Sequence, residues 1–324
     1  MRAVRIHELV GPSGLRVDTD VPEPIASSGH VVIDVHAAGV NFPDILITKG
    51  TYQFKPTLPF SPGNEVAGVV RAIGSGVTSV ALGDRVAATM LHGAFAEVVA
   101  APEAACVKLP DNVSFETGAA TLVTYATTYH ALHDRAALAK GETLLVLGAA
   151  GGVGIAAVEL GALMGARVIA AASSEDKLAF CREHGASEVI NYAREDLKER
   201  LKALGGANVV YDPIGGPLAE TALRGIQWEG RYLVVGFATG DIPKIPLNLV
   251  LLKGCQIVGV FWGQFAMRDP KKNHAHSEQL FAWISEGKLR PAIDAVMPFE
   301  QAAEALTRID RREVKGKLVL VPRP

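Results

Sequence analysis

A cluster of glycines directly after a short apolar run carries the strongest chemical signal in the sequence. The run Leu144–Leu147 leads into Gly148, and further glycines follow at residues 151, 152 and 154. Glycines in this position allow a tight turn and let the backbone approach a pyrophosphate, and a helix that begins there offers free amide donors. The alternative is a turn that serves only helix–strand packing. We predict that a dinucleotide binds at Gly151, Gly152, Val153 and Gly154.

The residues after the second apolar run, 167–172, bear on which dinucleotide binds. An NAD site usually has an acidic residue at this point, which binds the ribose 2′-hydroxyl. This chain instead has Ser173 and Ser174, followed by Lys177. Hydroxyls and an ammonium suit a 2′-phosphate, and Tyr192, after the third run, is a further candidate. The predicted cofactor is therefore NADPH.

Two alternatives to this cofactor assignment stay open. The neighbouring acids Glu175 and Asp176 keep NADH as a less favoured cofactor. Ser174 could instead serve as a helix cap, and Lys177 could be an ordinary solvated residue of the helix that begins near Glu175.

Two patterns of apolar residues predict how these groups are positioned. Up to residue 117, short apolar runs alternate with turns rich in Gly and Pro, which is typical of a barrel-like β-unit. From residue 118 to about residue 263, strands alternate with helices, which predicts a parallel sheet covered on both faces. The predicted strands are 143–147, 167–172, 188–191, 208–211, 231–236 and 256–262, and the predicted helices are 152–165, 175–184, 195–204 and 217–225.

The final residues do not continue this alternation. We predict helices at 275–286 and 300–308 and a strand at 317–321. A segment of roughly 60 residues buries too little surface to form a stable domain alone. It is therefore expected to pack back on the N-terminal unit.

Several motifs, in order along the chain, resemble the medium-chain dehydrogenase/reductase superfamily, and in particular its zinc-free, ζ-crystallin-like quinone oxidoreductases. The resemblance covers the whole chain. The motifs are Gly39–Asp44, Gly50–Tyr52, Pro62–Gly68, Gly83–Val86, the glycine turn, Asp212–Gly215 and Gly236–Phe237.

The resemblance implies an α/β protein in which a doubly wound Rossmann sheet is inserted into a GroES-like β-barrel catalytic domain. The expected catalytic domain comprises residues 1–118 and 264–324, and the expected NADPH-binding domain comprises residues 119–263. The implied activity is reduction of quinones or α,β-unsaturated carbonyls by hydride transfer from NADPH.

The resemblance also implies a site without zinc. Zinc-dependent relatives have a Cys where this chain has Asn41, a His where it has Asn64, and a further Cys near Leu122. Asparagine is a poor ligand for Zn²⁺, which prefers thiolate and imidazole. The pairs His130/His133 and His274/His276 have no convincing third ligand nearby in the sequence. The prediction is that no metal binds.

By resemblance, Asn41, Tyr52 and Thr127 are the predicted catalytic residues. Their neutral hydrogen-bonding groups suit a developing oxyanion or enolate, and Tyr52 matches a proton donor of related enoyl-thioester reductases. Their alternative roles are a turn-stabilising Asn, an aromatic wall and a helix-start hydroxyl. Phe237 and Phe261 are expected to flank the cofactor at the carboxyl ends of strands, although both could instead be core aromatics.

Composition limits the partners. The formal net charge is −2, with 32 basic and 34 acidic residues, which disfavours nucleic-acid binding. Three widely spaced cysteines and an N-terminus without an apolar segment favour the cytoplasm. No stretch predicts a membrane span. An apolar strand at the sheet edge invites pairing, so we expect a homodimer through residues 256–262.

Two other functions remain open on the sequence. One is an enoyl-thioester reductase, in which Lys253, Arg268, Lys271 and Lys272 would supply a basic groove for a carrier phosphate. The other is a non-catalytic NADPH-binding protein.

Overall fold

The computed structural model describes residues 1–322, and the described chain divides into two compact units. Unit 1 comprises residues 1–123 together with residue 268 onward, and unit 2 comprises residues 124–267. The chain therefore leaves unit 1, builds unit 2 and returns. Among the described residues, no helix is both long enough and apolar enough to cross a membrane.

The N-terminal part of unit 1 is mostly β-structure. Its strands are β1 Ala3–Ile6, β2 Leu15–Asp18, β3 His30–Val40, β4 Glu65–Ile73, β5 Arg85–Thr89, β6 Val98–Pro102 and β7 Cys106–Lys108, and its helices are α1 Phe42–Thr48 and α2 Phe115–Ala119. The long strand β3 pairs antiparallel with both β4 and β6. Phe95, Ile33 and Ile45 are fully buried in the core between these elements.

Unit 2 alternates strands with helices. Its strands are β8 Thr143–Leu147, β9 Arg167–Ala172, β10 Glu188–Asn191, β11 Ala207–Asp212, β12 Ile226–Val234 and β13 Gln256–Gly259. Its helices are α3 Thr127–Tyr129, α4 Gly152–Leu163, α5 Glu175–Glu183, α6 Leu197–Ala203, α7 Pro217–Arg224, α8 Leu247–Lys253 and α9 Trp262–Arg268, which ends one residue beyond the unit. The π-helical turns Leu122–Ala126 and His130–Arg135 flank α3 and make one helix of residues 122–135.

The strands of unit 2 form a parallel sheet in the order β10-β9-β8-β11-β12-β13. Every residue of β8 is buried, as expected for a strand covered on both faces. Because all the pairs are parallel, the carboxyl ends of the strands lie along one edge of the sheet. The loops that follow residues 147, 172, 191, 212, 234 and 259 therefore share this edge.

The structure confirms the bounds of three predicted strands of unit 2 and corrects two others. The strands at 143–147, 167–172 and 188–191 have the predicted bounds. The strand predicted over 231–236 begins earlier and ends earlier, since β12 spans Ile226–Val234. The strand predicted over 256–262 was too long, because it ends at Gly259 and the chain turns into α9 at Trp262. Phe261 consequently lies in the connection between β13 and α9.

The C-terminal segment adds α10 Pro270–Ser285, β14 Ile293–Pro298, α11 Ala302–Asp310 and β15 Lys317–Val321 to unit 1. Strand β15 pairs antiparallel with β3, with Leu318 opposite Val40, and β14 extends the same sheet. Helix α10 begins five residues before the predicted start at 275, because the Asp269 side chain accepts a hydrogen bond from the Lys272 amide at 3.1 Å and Pro270 occupies the first turn.

Candidate active site

The glycine turn of unit 2 has the geometry of a phosphate-binding loop. Gly148 follows β8 with φ of +58°, and Gly151 is the N-cap of α4. A Cβ on Gly154 would lie 2.3 Å from the carbonyl oxygen of Gly148, so only glycine fits at that position. The amides of Gly152, Val153 and Gly154 are the first in α4 and have no intrahelical acceptor. They offer donors and a partial positive charge to an anion.

Serine hydroxyls follow the end of β9, and the acidic residues next to them, Glu175 and Asp176, are hydrogen-bonded to other side chains. Ser173 is exposed and directly follows the strand. Ser174 is the N-cap residue of α5, but its side chain makes no capping hydrogen bond, because its hydroxyl donates to the carboxylate of Asp176. Glu175 accepts a hydrogen bond from the side chain of Asn191 at 2.6 Å.

Tyr192 lies beside this strand end. Its backbone amide donates to the carbonyl of Ala172 at 3.2 Å, and the residue is half-buried. Lys177, in the first turn of α5, is also half-buried. Unit 2 thus places Ser173, Ser174, Lys177 and Tyr192 around the carboxyl ends of two adjacent strands.

A buried carboxylate orders the loop after β11. Asp212 accepts hydrogen bonds at 2.9 Å from the amides of both Ile214 and Gly215, and it also accepts from the hydroxyl of Tyr232. Burial, followed by the charge of Asp212, raises the pKa of Tyr232. The loop therefore has a fixed shape at the strand ends.

Phe237 lies against this loop. A Cβ on Gly215 would lie only 2.9 Å from its ring, and Gly215 itself has φ of +65°. A Cβ on Gly148 would lie 2.6 Å from the side chain of Ile214, so the loop after β11 also contacts the glycine turn. Phe237 and Phe261 are 36% and 58% exposed, which excludes the alternative that they are core aromatics.

Thr127 begins the α-helical turn within the helix of residues 122–135. Its neighbour Thr128 is buried and bonds to the hydroxyl of Tyr211 at 2.9 Å and to the carbonyl of Val153 at 3.3 Å. These contacts fix this helix against the start of α4. The Thr127 hydroxyl is partly exposed and has no hydrogen-bond partner among residues 1–322.

In unit 1, Asn41 lies at the centre of a buried polar cluster. Its Nδ2 donates to Glu65 Oε1 at 2.8 Å and to Asn64 Oδ1 at 2.9 Å. Its Oδ1 accepts from Lys317 Nζ at 2.6 Å. Both amide hydrogens of Asn41 are therefore engaged within the protein.

Lys317 and Glu65 form a buried ion pair in this cluster. Their side chains are 3% and 0% exposed, and Nζ lies 2.6 Å from Oε1. Lys317 also donates to the carbonyl of Val40 at 2.9 Å, and Glu65 Oε2 accepts from the Val123 amide at 2.8 Å. A buried pair is tolerated when its remaining hydrogen-bonding capacity is satisfied, as it is here.

Asp44 binds the backbone at two positions next to this cluster. Its carboxyl accepts from the Asn41 amide at 2.8 Å and from the Gly63 amide at 3.1 Å. Burial raises the pKa of Asp44 to about 7, despite these hydrogen bonds and the charge of Lys317, which lower it. Asp44 is thus a buried carboxyl that titrates near neutrality.

Tyr52 is half-buried and packs beside a small apolar cluster of Ile6, Ile47 and Phe60. Burial raises the pKa of its hydroxyl, and the charge of Asp44 raises it further. The hydroxyl is therefore protonated at neutral pH and can donate a hydrogen bond.

Comparison with known proteins agrees with this architecture. Residues 27–111 match the alcohol dehydrogenase GroES-like domain family, and residues 152–282 match the zinc-binding dehydrogenase family. The chain is 39% identical to a quinone oxidoreductase-like protein 2 homolog of Nematostella vectensis, with 98% of this chain and 88% of that protein covered. It is 33% identical to human quinone oxidoreductase, with coverage of 99% and 98%.

The chain belongs to the quinone oxidoreductase family of the medium-chain dehydrogenases/reductases. A solved structure of Escherichia coli quinone oxidoreductase complexed with NADPH is similar over 99% of this chain and 100% of that one, with a TM-score of 0.93 and 29% identity. As a member of this family, the chain is a quinone oxidoreductase-like enzyme.

Within this quinone oxidoreductase fold, the positions where zinc-dependent relatives carry ligands do not fit a zinc ion. The amides of Asn41 and Asn64 bond to each other, and the ammonium of Lys317 lies against Asn41 and Glu65. Neutral amides beside an ammonium neither coordinate nor attract Zn²⁺. His130 and His133 each pair through Nδ1 with Asp134, at 2.8 and 3.0 Å.

The sequence analysis missed Lys317, Glu65 and Asp44 as site residues. Glu65 and Asp44 fall inside two of the motifs that indicated the family, but no role followed from their spacing. Lys317 gave one weak signal, a charged residue at the start of an otherwise apolar strand. Its place in the cluster depends on the pairing of β15 with β3.

Proposed function

We propose that this protein is an NADPH-dependent oxidoreductase that reduces quinones or α,β-unsaturated carbonyls by hydride transfer without zinc. The observation that carries the proposal is the buried Lys317–Glu65–Asn41 cluster at the position where zinc-dependent relatives hold their metal. A site built this way can position a substrate but cannot polarise it through a metal. It therefore suits substrates that accept a hydride without a Lewis acid.

Unit 2 supplies the residues that would hold NADPH. The amides of Gly152, Val153 and Gly154 suit the pyrophosphate, and Gly151, whose own amide donates to the Gly148 carbonyl, forms the turn that presents them. Ser173, Lys177 and Tyr192 suit the 2′-phosphate, and Ser174 joins them when its hydroxyl leaves Asp176. Glu175 is bound to Asn191 and does not take the place of a ribose-binding acid. Phe237 and Phe261 suit the flanks of the cofactor. When bound, NADPH supplies the hydride, and the protein supplies position and electrostatics.

The remaining groups serve the substrate. Thr127 contributes a neutral hydroxyl, and Tyr52 is a protonated hydroxyl at neutral pH. Asn41, whose amide is engaged within the protein, acts through the residues that it holds in place. Reduction of a quinone to a hydroquinone, or of an enone to a ketone, consumes one proton besides the hydride. Tyr52 is proposed to orient the accepting oxygen and to deliver that proton.

A turnover assay tests the proposal. Purified protein is given NADPH or NADH and a panel of quinones, enones and crotonyl-CoA, and oxidation of the nicotinamide is followed by its absorbance. We expect turnover with a quinone or an enone and a preference for NADPH. Turnover with crotonyl-CoA alone would favour the enoyl-thioester reductase, and tight NADPH binding without any turnover would favour a non-catalytic role.

We also propose a homodimer through β13. In the described chain, β13 is the last strand of the parallel sheet and pairs only with β12. Beside it, α8 exposes Leu247, Leu251 and Leu252, each at least 70% exposed. An open strand edge next to exposed leucines favours association with a second copy.

The molar mass in solution tests the dimer. We expect twice the chain mass of 34.2 kDa, and we expect Leu251→Lys to shift the protein toward the monomer. Leu82→Lys is the matched control, because Leu82 is similarly exposed at 64% but lies in unit 1. A wild-type monomer at micromolar concentration would contradict the proposal.

A further inference from the structure

We propose that the side-chain amide of Asn64 donates a hydrogen bond to the substrate oxygen that gains negative charge, and that Lys317 is a positioning residue that fixes the direction of this amide. The inference rests on the proposed reductase function. It follows from which atoms donate and which accept in the hydrogen bonds of the Lys317–Glu65–Asn41 cluster.

Lys317 sets the first direction. An ammonium can only donate, and it has three hydrogens. Nζ lies 2.6 Å from Asn41 Oδ1, 2.6 Å from Glu65 Oε1 and 2.9 Å from the carbonyl oxygen of Val40. All three hydrogens are used, and the atom of Asn41 that faces Lys317 must be its carbonyl oxygen.

Glu65 sets the second direction. A carboxylate can only accept, and Oε1 lies 2.8 Å from the other side-chain atom of Asn41. That atom must therefore be the nitrogen. An obligatory donor on one side and an obligatory acceptor on the other leave Asn41 a single satisfied orientation.

The fixed orientation of the Asn41 amide in turn determines the orientation of the Asn64 amide. One hydrogen of Asn41 Nδ2 points at Glu65, and the other points at the side chain of Asn64, whose nearest atom is 2.9 Å from Nδ2. The atom of Asn64 that meets it must accept, so it is Oδ1. The Nδ2 group of Asn64 is consequently directed away from the cluster.

Asn64, and not Asn41, has donors to offer. Both hydrogens of Asn41 are spent inside the protein, and the residue is 5% exposed. Asn64 is partly exposed, and its Nδ2 has no hydrogen-bond partner in the described residues 1–322. An amide held by its oxygen, with its NH2 free, is preorganised to stabilise an oxyanion.

Asn64 also shares its support with Tyr52. The adjacent Gly63 donates its amide to Asp44, whose charge acts on the hydroxyl of Tyr52. Asp44 is thus bound to the turn that carries Asn64, and its charge also acts on the Tyr52 hydroxyl.

The test substitutes Asn64 by Asp, which has the same shape and still accepts from Asn41, but which replaces the donating NH2 by a negatively charged oxygen. We expect kcat to fall by about 10²- to 10³-fold, as for loss of an oxyanion donor. The dissociation constant for NADPH should stay within twofold. Asn64→Ala should show a similar loss without introducing a charge.

The matched control is Asn112→Asp. Asn112 is an exposed asparagine of unit 1 whose side chain bonds to Ser285, and this variant should keep wild-type kcat. If wild-type protein turns over but Asn64→Asp and Asn64→Ala stay within threefold of it, the inference is wrong and the proposed function stands. If the wild type oxidises NADPH with no quinone or enone, the proposed function fails and the inference fails with it.

Lys317 is tested through coupling. Lys317→Met alone leaves Glu65 buried without a counter-charge and risks unfolding, so the variant is Lys317→Met combined with Glu65→Gln. We expect its kcat to fall, and we expect Asn64→Ala to cause little further loss of kcat in this background, because the amide of Asn64 is no longer directed there. Losses that multiply would show that Lys317 does not act through Asn64.

Discussion

The buried ionisable residues of unit 1 differ in the partners that satisfy them. The Lys317–Glu65 pair has all its partners within the protein and holds Asn41 in one orientation. Asp44 is also fully buried, but its nearest partners are backbone amides, and burial raises its pKa to about 7. Asp44 therefore changes charge near neutrality.

At this scale, the first prediction concerns the pH dependence of stability. Because the pKa of Asp44 is raised on folding from 3.8 to about 7, the folded state binds a proton that the unfolded state has released. The stability that this proton contributes is fully present below the unfolded pKa and is lost as pH rises toward 7. Asp44→Asn cannot titrate and should lack this loss.

Denaturant unfolding at several pH values between about 4.5 and 7.5 checks this prediction. The free energy of unfolding of the wild type should fall relative to that of Asp44→Asn as the pH rises, and the difference should level off above the folded pKa. Parallel curves for the two proteins would contradict it.

A second prediction at the residue scale concerns Tyr52. Its raised pKa keeps the hydroxyl protonated at neutral pH, so it can donate. Tyr52→Phe keeps the ring and its packing but removes the donor. We expect kcat to fall by about 10²-fold, as for removal of a general acid, while NADPH binding is unchanged. Wild-type kcat in the variant would leave Tyr52 as an aromatic wall only.

The ends of the parallel strands are the elements that assemble the proposed cofactor site. Their order could be predicted from the sequence, because buried runs of Val, Ile, Leu and Ala alternate with helices at a regular spacing. The bounds of β8, β9 and β10 follow directly from these runs. The run over 256–262 misled, because Val260 and Phe261 are as apolar as the strand before them although the strand has ended.

A prediction at the scale of the turn concerns Gly154. A Cβ there would lie 2.3 Å from the Gly148 carbonyl, whereas a Cβ on Gly151 would meet the same oxygen at 3.5 Å, which is ordinary contact. Gly154→Ala should therefore distort the turn, lower the melting temperature and abolish measurable NADPH binding. Gly151→Ala should keep the wild-type melting temperature, and equal melting temperatures for both variants would contradict the close approach.

A second prediction at this scale concerns the end of β9. Ser173→Ala with Lys177→Ala removes a hydroxyl and a charge from the proposed 2′-phosphate site. The KM for NADPH should rise about 10- to 100-fold, as expected for lost hydrogen bonds to a charged group. The KM for NADH should change little, and Lys202→Ala, an exposed lysine of the same unit, should change neither. A parallel rise for both cofactors would contradict the assignment.

At the scale of the whole molecule, the return of the chain to unit 1 limits which contacts could be predicted from the sequence. Local spacing indicated the glycine turn, and the motifs indicated Asn41 and Tyr52. The Lys317–Asn41 contact joins residues 276 positions apart in the sequence. It exists only because β15 pairs with β3, and no pattern within either segment specifies that pairing. The contacts that balance the charges of the cluster could therefore not be predicted from the sequence, although all of its residues are printed there.

The position of Lys317 in the last described strand also has a consequence for synthesis. Ribosomes deliver Asn41 and Glu65 long before Lys317, and domains fold as units while the chain emerges. A nascent chain that stops before residue 317 would have to bury Glu65 with no counter-charge, so unit 1 cannot close around it. All of unit 2 has been made by then. Translation thus delivers the whole of unit 2 before the residue that completes the charge balance of unit 1.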